Sequence, residues 1–415
     1  MLVEFKVSNF RSFKNEQVFS MQTGKRLTKY RDTNTMTIEK EKLLKSALLF
    51  GANANGKTNL ITALLELQRL IVSPTTDEIE RIHTDSFGYN KKNTSFEITF
   101  IKNKNIYDYI LEYNSKEIVR EILISNKKIV FKRNRQKITH IPNQLVPISN
   151  NIRKNQLLLY FAQQNNEKQS KEAYSWFVED LMLVNTTRMR KSKFKALENR
   201  KFKNRFLHFL QAADFNIIDV EIKERVKNVP NFKNFIQKKL NSDEDDLNDV
   251  DVDLNDVDLV PQKIYDVYCK HKSERGSFSI YFPNESTGTK VFMFLALYIL
   301  SNSKKTLLID EFDRSYHLEL AKALLSLINS TEQTNQFILT THELSLMDCK
   351  LRQDQIWFAE KNRFGESELF SLFDFDDSSL KRSDFNYKKR YLEGRYGATQ
   401  IVNSELLMEA LKENE

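Results

Sequence analysis

Gly51-Ala52-Asn53-Ala54-Asn55-Gly56-Lys57-Thr58 follows the apolar run Ser46-Ala47-Leu48-Leu49-Phe50 and leads into Asn59-Leu60-Ile61-Thr62-Ala63-Leu64-Leu65. A buried strand, a glycine loop and then a helix is the order that a phosphate cradle needs. The spacing is G-x-x-x-x-G-K-[ST], in which loop amides and a helix N-terminus face the phosphates. Gly51, Asn53, Asn55, Gly56 and Asn59 lie along that cradle. Lys57 can reach β and γ oxygens, and the Thr58 hydroxyl can bind Mg²⁺. A nucleoside triphosphate is the predicted ligand.

Composition sets outer bounds. The chain has 415 residues, more than one ordinary core covers, so a main domain with insertions or two lobes is expected. A hydrophobic fraction of 40% with 30 phenylalanines is enough for a real core. The net charge of +8 and pI near 9.1 suit an anionic partner, but a lysine-rich proteome gives the same balance, so charge alone decides nothing. Two cysteines, Cys269 and Cys349, with no CxxC and no histidine at ligand spacing, indicate neither a disulfide framework nor a zinc site. The N-terminus lacks a basic stretch before an apolar core, and no apolar run approaches membrane-spanning length. A cytoplasmic protein without a membrane partner is the expectation.

Along the chain, Leu2, Phe5, Val7 and Phe10, then Val18 to Met21, read as two strands joined by a turn. Leu43 to Phe50 reads as the strand feeding the loop, and the helix after the loop runs to Ile71-Val72, where Ser73-Pro74 stops it. Period-two alternation from Phe96 to Phe131 predicts four antiparallel strands. Residues 151 to 240 read as mostly helical, anchored by Leu157 to Phe161 and Tyr174 to Phe177. A basic run from Arg188 to Arg205 reads as a solvated face, with a nucleic-acid or effector contact as the functional alternative. The hexapeptide Asp246 to Asp251 recurs as Asp253 to Asp258, which marks 243–260 as an acidic surface loop; it lacks the glycine and terminal glutamate of a calcium loop.

The second half supplies further parts. Glu285-Ser286-Thr287-Gly288-Thr289-Lys290 opens an apolar helix from Val291 and offers amides and a hydroxyl to an anion. Thr306-Leu307-Leu308-Ile309-Asp310-Glu311 is an apolar strand ending in two carboxylates, the first suited to Mg²⁺ and the second to polarising a water. Another apolar strand, Phe337 to Thr341, ends in His342.

The order Asn9-Phe10-Arg11-Ser12-Phe13, Gly51 to Thr58, Glu285 to Thr289, Leu307 to Glu311 with Asp313, and Thr341-His342 resembles the ABC-type ATPase head shared by structural-maintenance, Rad50 and RecF-like proteins. Within that class it resembles the AAA15/AAA21 group of standalone ATPases, including those of abortive-infection (AbiL/RloA-like) and PARIS-type phage-defence systems. Phe161 to Asn166, Asp354 to Phe358 and Gly394 to Ala398 match that subgroup too.

The resemblance implies an α/β fold: a two-lobed P-loop NTPase with an antiparallel β elaboration in the first lobe, a helical insertion and no coiled-coil arm. The implied boundaries are 1–150 for the first lobe, 151–262 for the insertion and 263–415 for the second lobe. It further implies ATP and Mg²⁺ as cofactors and a composite site, in which Ser286 and Gly288 of one subunit close over ATP held by another. Glu311 would be the general base, Lys57 and His342 would act on the γ-phosphate, Thr58 and Asp310 would form the Mg²⁺ shell, and Asp313 would couple subunits. Gln163 is the candidate for a glutamine watching metal and water, with Gln164 beside it as the alternative. Ser-Thr-Gly-Thr stands where transporters carry Ser-Gly-Gly. The implied function is an ATPase sensor or scaffold that forms a homo-oligomer, at least a dimer, controls a separately encoded effector and answers to a phage protein. The alternative is a RecF-like repair ATPase that binds nucleic acid through the basic run. Sustained heptads are absent between residues 60 and 280, and the stretch after His342 is too short for an added nuclease domain.

Overall fold

The computed structural model describes residues 1–184, 191–230, 259–314, 317–375, 386–397 and 408. Its contacts divide the chain into two compact units, Met1–Val184 with Asn302–Glu415, and Asn185–Ser301.

In the first unit, Leu2–Ser8 (β1) and Gln17–Ser20 (β2) pair antiparallel. The turn between them explains the Asn9-Phe10-Arg11-Ser12-Phe13 word. Asn9 and Arg11 take left-handed backbone (φ 52° and 49°), which buries Phe10 and Phe13 on the same side. Asn9 Nδ2 then donates to Asn90 Oδ1 and to the Lys92 and Asn93 carbonyls. After a short helix Arg31–Asn34 (α1), Thr35–Ile38 (β3) and Glu41–Leu44 (β4) form a separate hairpin, and Ser46–Phe50 (β5) is buried at every position. The sequence reads Leu43 to Phe50 as one strand. The fold breaks it at Lys45, whose ammonium leaves the strand line to bond the Ser330 carbonyl.

Lys57–Val72 (α2) follows the loop. Thr94–Lys102 (β6), Asn105–Tyr113 (β7), Ile118–Ser125 (β8), Lys128–Asn134 (β9) and Lys137–His140 (β10) then alternate as the period-two pattern requires. With the first two strands they build a seven-stranded antiparallel sheet of order β10-β9-β8-β7-β6-β1-β2. Leu158–Gln164 (α3) carries Leu158 and Leu159, and Trp176 and Phe177 lie in the helical turn Trp176–Asp180 that follows Lys168–Ser175 (α4); all four are fully buried.

A second sheet holds the nucleotide machinery. Leu181–Leu183 (β11) is its edge strand.

The second unit contains Arg200–Ala212 (α5) and a sheet of Ile217–Pro230 (β12), Leu259–Ser273 (β13) and Gly276–Tyr281 (β14). The described residues between 151 and 240 are mostly helical, as expected, and the long strand β12 is the exception. Val220 and Ile222 alternate with Glu221 and Lys223, a two-residue period that a helix cannot use. Of the acidic stretch 243–260, residues 243–258 lie outside the described residues. Leu259 and Val260 are not loop but strand, paired with Pro230 and Val229. Arg188 and Arg190 of the basic run also lie outside the described residues. Lys195, Arg200, Lys201 and Arg205 are exposed, as a solvated face requires. Thr287–Ser301 (α6) closes the unit; it begins four residues before Val291 because Ser286 caps it, its Oγ accepting from Thr289 N at 3.1 Å.

Back in the first unit, Thr306–Ile309 (β15) and Gln336–Thr340 (β16) flank Leu318–Ile328 (α7) in sequence. Ile356–Lys361 (β17), Ser367–Ser371 (β18) and Tyr387–Leu392 (α8) complete it. The order β11-β15-β16-β5-β17-β18 is parallel except for β18. Asp374 accepts from Ser371 N at 2.8 Å and closes the turn after β18. Among the described residues the longest helix is the 16-residue α2, so no coiled-coil arm is present there, and no helix is long and apolar enough to cross a membrane.

Candidate functional site

Parallel strands end on one edge of their sheet, and ligands gather there. The loop after β5, the acid pair after β15 and the histidine after β16 follow adjacent strands, so the order β15-β16-β5 brings three distant segments together. The loop's shape needs its glycines. Gly51 has φ +147° and a side chain there would run into the Ala359 carbonyl; Gly56 has φ +103° and a Cβ would sit 2.6 Å from Ser367 Oγ. The hairpin β17–β18 therefore backs the loop, and Asn55 Nδ2 adds a bond of 3.1 Å to the Ala359 carbonyl.

Helix α2 starts at Gly56 with no side-chain cap and no acidic residue in its first turn. Its first amides face an anion by default. Lys57 is buried; its Nζ donates to the carbonyls of Gly51 at 2.7 Å and Ala52 at 2.9 Å and lies 3.5 Å from His342 Nδ1. Burial, opposed by Asp310, Asp313 and Glu311, pushes its pKa down to about 8. Burial and the Lys57 charge lower that of His342, which keeps the imidazole neutral at pH 7.

Thr58 Oγ1 donates to Asp310 Oδ1 at 3.2 Å. Thr340, at the end of β16, donates to the same Oδ1 at 2.5 Å and accepts from Glu311 N at 2.8 Å. Glu311 itself has left-handed backbone (φ 51°), and Arg314 NH1 holds its Oε2 at 2.6 Å. Asp313 Oδ1 accepts from His342 N at 3.3 Å. Asn59 Nδ2 reaches Ser12 Oγ at 2.6 Å, and Arg11 bonds Asp85 at 2.6 Å and approaches Thr62 Oγ1 at 3.4 Å, which lays the Asn9 to Phe13 turn along α2.

The fold thus brings together Lys57, Thr58, Asp310, Glu311, Asp313 and His342. Asn53 is exposed and Asn55 half-buried on the same loop. Gln163 is half-buried at the end of α3, and among the described residues no hydrogen bond joins it to Thr58 or Asp310. Ser286 is exposed and Gly288 half-buried in the second unit. Thr340 was missed in sequence, although a threonine pair before a strand-end histidine was there to see. Ser12 and Arg11 were seen only as part of a matching word.

The donor set fits a magnesium triphosphate. The uncapped α2 terminus and the Lys57 ammonium supply cationic partners for phosphate. Among the described residues no cluster of three or more acidic, histidine or cysteine side chains could hold a metal alone. A hydroxyl beside a single carboxylate, as in the Thr58–Asp310 pair, suits Mg²⁺ where substrate phosphates and water complete the shell.

The AAA_21 family profile, described as "AAA domain, putative AbiEii toxin, Type IV TA system", matches residues 46–348. No curated protein matches the chain. Among solved structures, the SMC head domain from Thermotoga maritima is similar at 13% identity and a TM-score of 0.40, over 89% of this chain and 98% of that one. The SmcHead bound to the C-winged helix domain of ScpA is similar at 12% identity and 0.44, over 92% and 99%. The Smc head domain with an extended coiled coil, bound to the C-terminal domain of ScpA derived from Pyrococcus furiosus, is similar at 13% and 0.42, over 89% and 96%.

Proposed function

The chain belongs to the AAA_21 family and is an ATPase, and from that premise we propose that it is an ATP-driven switch in abortive-infection defence against phage. ATP joins subunits into a homo-oligomer, the assembly holds a separately encoded toxic effector, and a phage protein provokes release. The observation that carries this reading is the meeting of Lys57, Thr58, Asp310 and His342 around an uncapped helix terminus, with the Glu311 carboxylate tied to Arg314. A base held by a neighbouring cation suits an enzyme whose turnover waits for assembly.

In this mechanism Lys57 exchanges its loop carbonyls for β and γ oxygens of ATP. Thr58 and Asp310 would hold Mg²⁺, which would supply positive charge to the phosphates. Glu311, released by Arg314, accepts the proton of the attacking water. His342, with Nδ1 turned to the Lys57 ammonium, carries its proton on Nε2 and donates it in a hydrogen bond to the γ-phosphate. Asp313 keeps the His342 backbone in place. Ser286 and Gly288 of a second subunit close the site, and Gln163 would be a further residue to hold the metal and its water.

The test is to purify tagged Glu311→Gln protein from its host with Mg-ATP present and to identify what accompanies it by mass spectrometry and nuclease-sensitive absorbance. A stoichiometric protein encoded beside it is the expected result. Nucleic acid with no protein partner would overturn the defence reading in favour of a RecF-like repair ATPase, to which the exposed Lys195, Arg200, Lys201 and Arg205 lend support.

A further inference from the structure

At the other end of the parallel strands lies a cavity of about 450 Å³, lined by residues that include Lys25, Arg31, Lys40, Glu41, Lys42 and Arg352. Lys40, Glu41 and Lys42 precede β5 and Arg352 precedes β17, whereas the phosphate loop follows β5. The cavity is therefore separate from the nucleotide site. Its volume falls within the range typical of small-ligand sites, about 300–1,000 Å³.

The charge in this cavity is one-sided. Arg352 is buried and spent: its guanidinium pairs with Asp354 at 2.9 and 2.7 Å and donates to the Leu27 and Lys29 carbonyls at 3.2 and 3.1 Å. Asp354 in turn accepts from Gly24 N at 2.8 Å, so this ion pair fixes the 24–29 segment as one wall. Asn34, at the end of α1, donates at 2.7 Å to Gln355 Oε1, and Gln355 Nε2 bonds Ser46 Oγ at 2.9 Å, which fixes the Arg31 wall to β5. Lys25, Arg31, Lys40 and Lys42 have no ion-pair or side-chain hydrogen-bond partner among the described residues, and Glu41 is the single carboxylate facing them from the lining.

Four exposed cations without ion-pair partners line this concavity against one carboxylate, an excess of positive charge that an anion of several charges offsets. We propose that this cavity is a second anion site, which takes a small polyphosphorylated ligand such as a nucleoside polyphosphate. Convergence on a cavity favours a compact ligand, since a nucleic-acid strand is followed by cations set in a stripe or groove along its backbone.

The experiment uses the full-length Lys57→Ala protein, so that the phosphate loop is silent, and calorimetric titration with inorganic tripolyphosphate, with a nucleoside triphosphate and with a 5′-phosphorylated oligonucleotide. Tripolyphosphate and the nucleotide should bind one per chain. The further change Lys40→Glu/Lys42→Glu, at exposed positions, should weaken both on the order of tenfold or more, with an unchanged thermal midpoint. Lys25→Glu/Arg31→Glu should do the same from the opposite wall. Absence of binding, an affinity that both charge reversals leave unchanged, or binding of the oligonucleotide alone would overturn the proposal. Because the readout does not use the phosphate loop, failure here leaves the ATPase reading untouched, and the reverse holds as well.

Discussion

Lys57 is held away from water by its own loop, and its lowered proton affinity reports the strain of that placement. The unfolded chain keeps the Lys57 proton to about its ordinary pKa of 10.5, whereas the folded protein gives it up near 8. Between those values the unfolded state binds more protons, so this group makes stability rise with pH there and costs stability below 8. Anion binding runs the other way, because a triphosphate needs the ammonium. ATP affinity of the nucleotide-free protein should fall by up to about tenfold per pH unit above 8. Equilibrium titration at pH 7, 8 and 9 checks this, and a flat dissociation constant would show that Lys57 is not the phosphate ligand. Thr340 is the second residue whose part is concrete, since one hydroxyl sets both Asp310 and the Glu311 backbone. Thr340→Val keeps the shape and removes both bonds, and should weaken Mg²⁺-dependent turnover by about 10- to 100-fold. A loss that extra Mg²⁺ partly restores separates this positioning role from unfolding. Glu311→Gln should retain ATP binding while hydrolysis drops on the order of 10²-fold or more; normal turnover would remove Glu311 as the base.

Elements explain which of these residues the sequence could reveal. The phosphate loop is legible because its glycines, lysine and threonine are contiguous and its backbone shape demands glycine at 51 and 56. The antiparallel sheet is legible because alternation is local. What stays hidden is made by long-range partners. Glu121 on β8 is fully buried and accepts from Arg133 Nε at 3.0 Å, Tyr109 Oη at 3.0 Å, and the amides of Leu158 and Leu159 at 2.7 and 2.8 Å. It caps α3 from 37 positions away in sequence, in place of Leu157, which has no side-chain oxygen to offer. No spacing rule predicts such a cap. Glu121→Ala would leave a buried guanidinium without its counter-ion and two helix amides without an acceptor, and should cost about 3–5 kcal/mol in denaturant unfolding. The paired change Glu121→Leu/Arg133→Met removes the orphaned guanidinium but not the orphaned amides, so it should recover part of that loss, and no recovery would refute the account. The same reasoning explains Lys45. Its sequence neighbours are all strand-like, yet it sits where β4, paired with β3, gives way to β5, paired with β16 and β17, and its side chain bonds the distant Ser330 carbonyl.

At the scale of the whole molecule, the question is whether one chain suffices. The phosphate loop, acid pair and histidine belong to one compact unit, whereas Ser286 and Gly288 belong to the other, with Ser286 exposed at the start of α6. Ser286 already spends its hydroxyl on its own helix, through Thr289 N at 3.1 Å and Thr289 Oγ1 at 2.7 Å. In the proposed composite site, what it still offers is the surface beside the helix terminus, set against another chain's ATP. Lys57→Ala abolishes one half of such a site and Ser286→Arg blocks the other. Each variant alone should be inactive, yet a mixture contains pairs in which an intact loop faces an intact Ser286. With random pairing at equal concentrations, about half of the dimers hold one intact site each, so hydrolysis should return to roughly a quarter of the wild-type rate if sites act independently. Steady-state phosphate release from the mixture, set against each variant alone, is the measurement. A mixture as inactive as its components would confine each site to one subunit, or require two intact sites for any turnover. Titrating wild-type protein with the Lys57→Ala variant separates these, because confined sites lose activity in proportion to dilution and coupled sites lose it as the square.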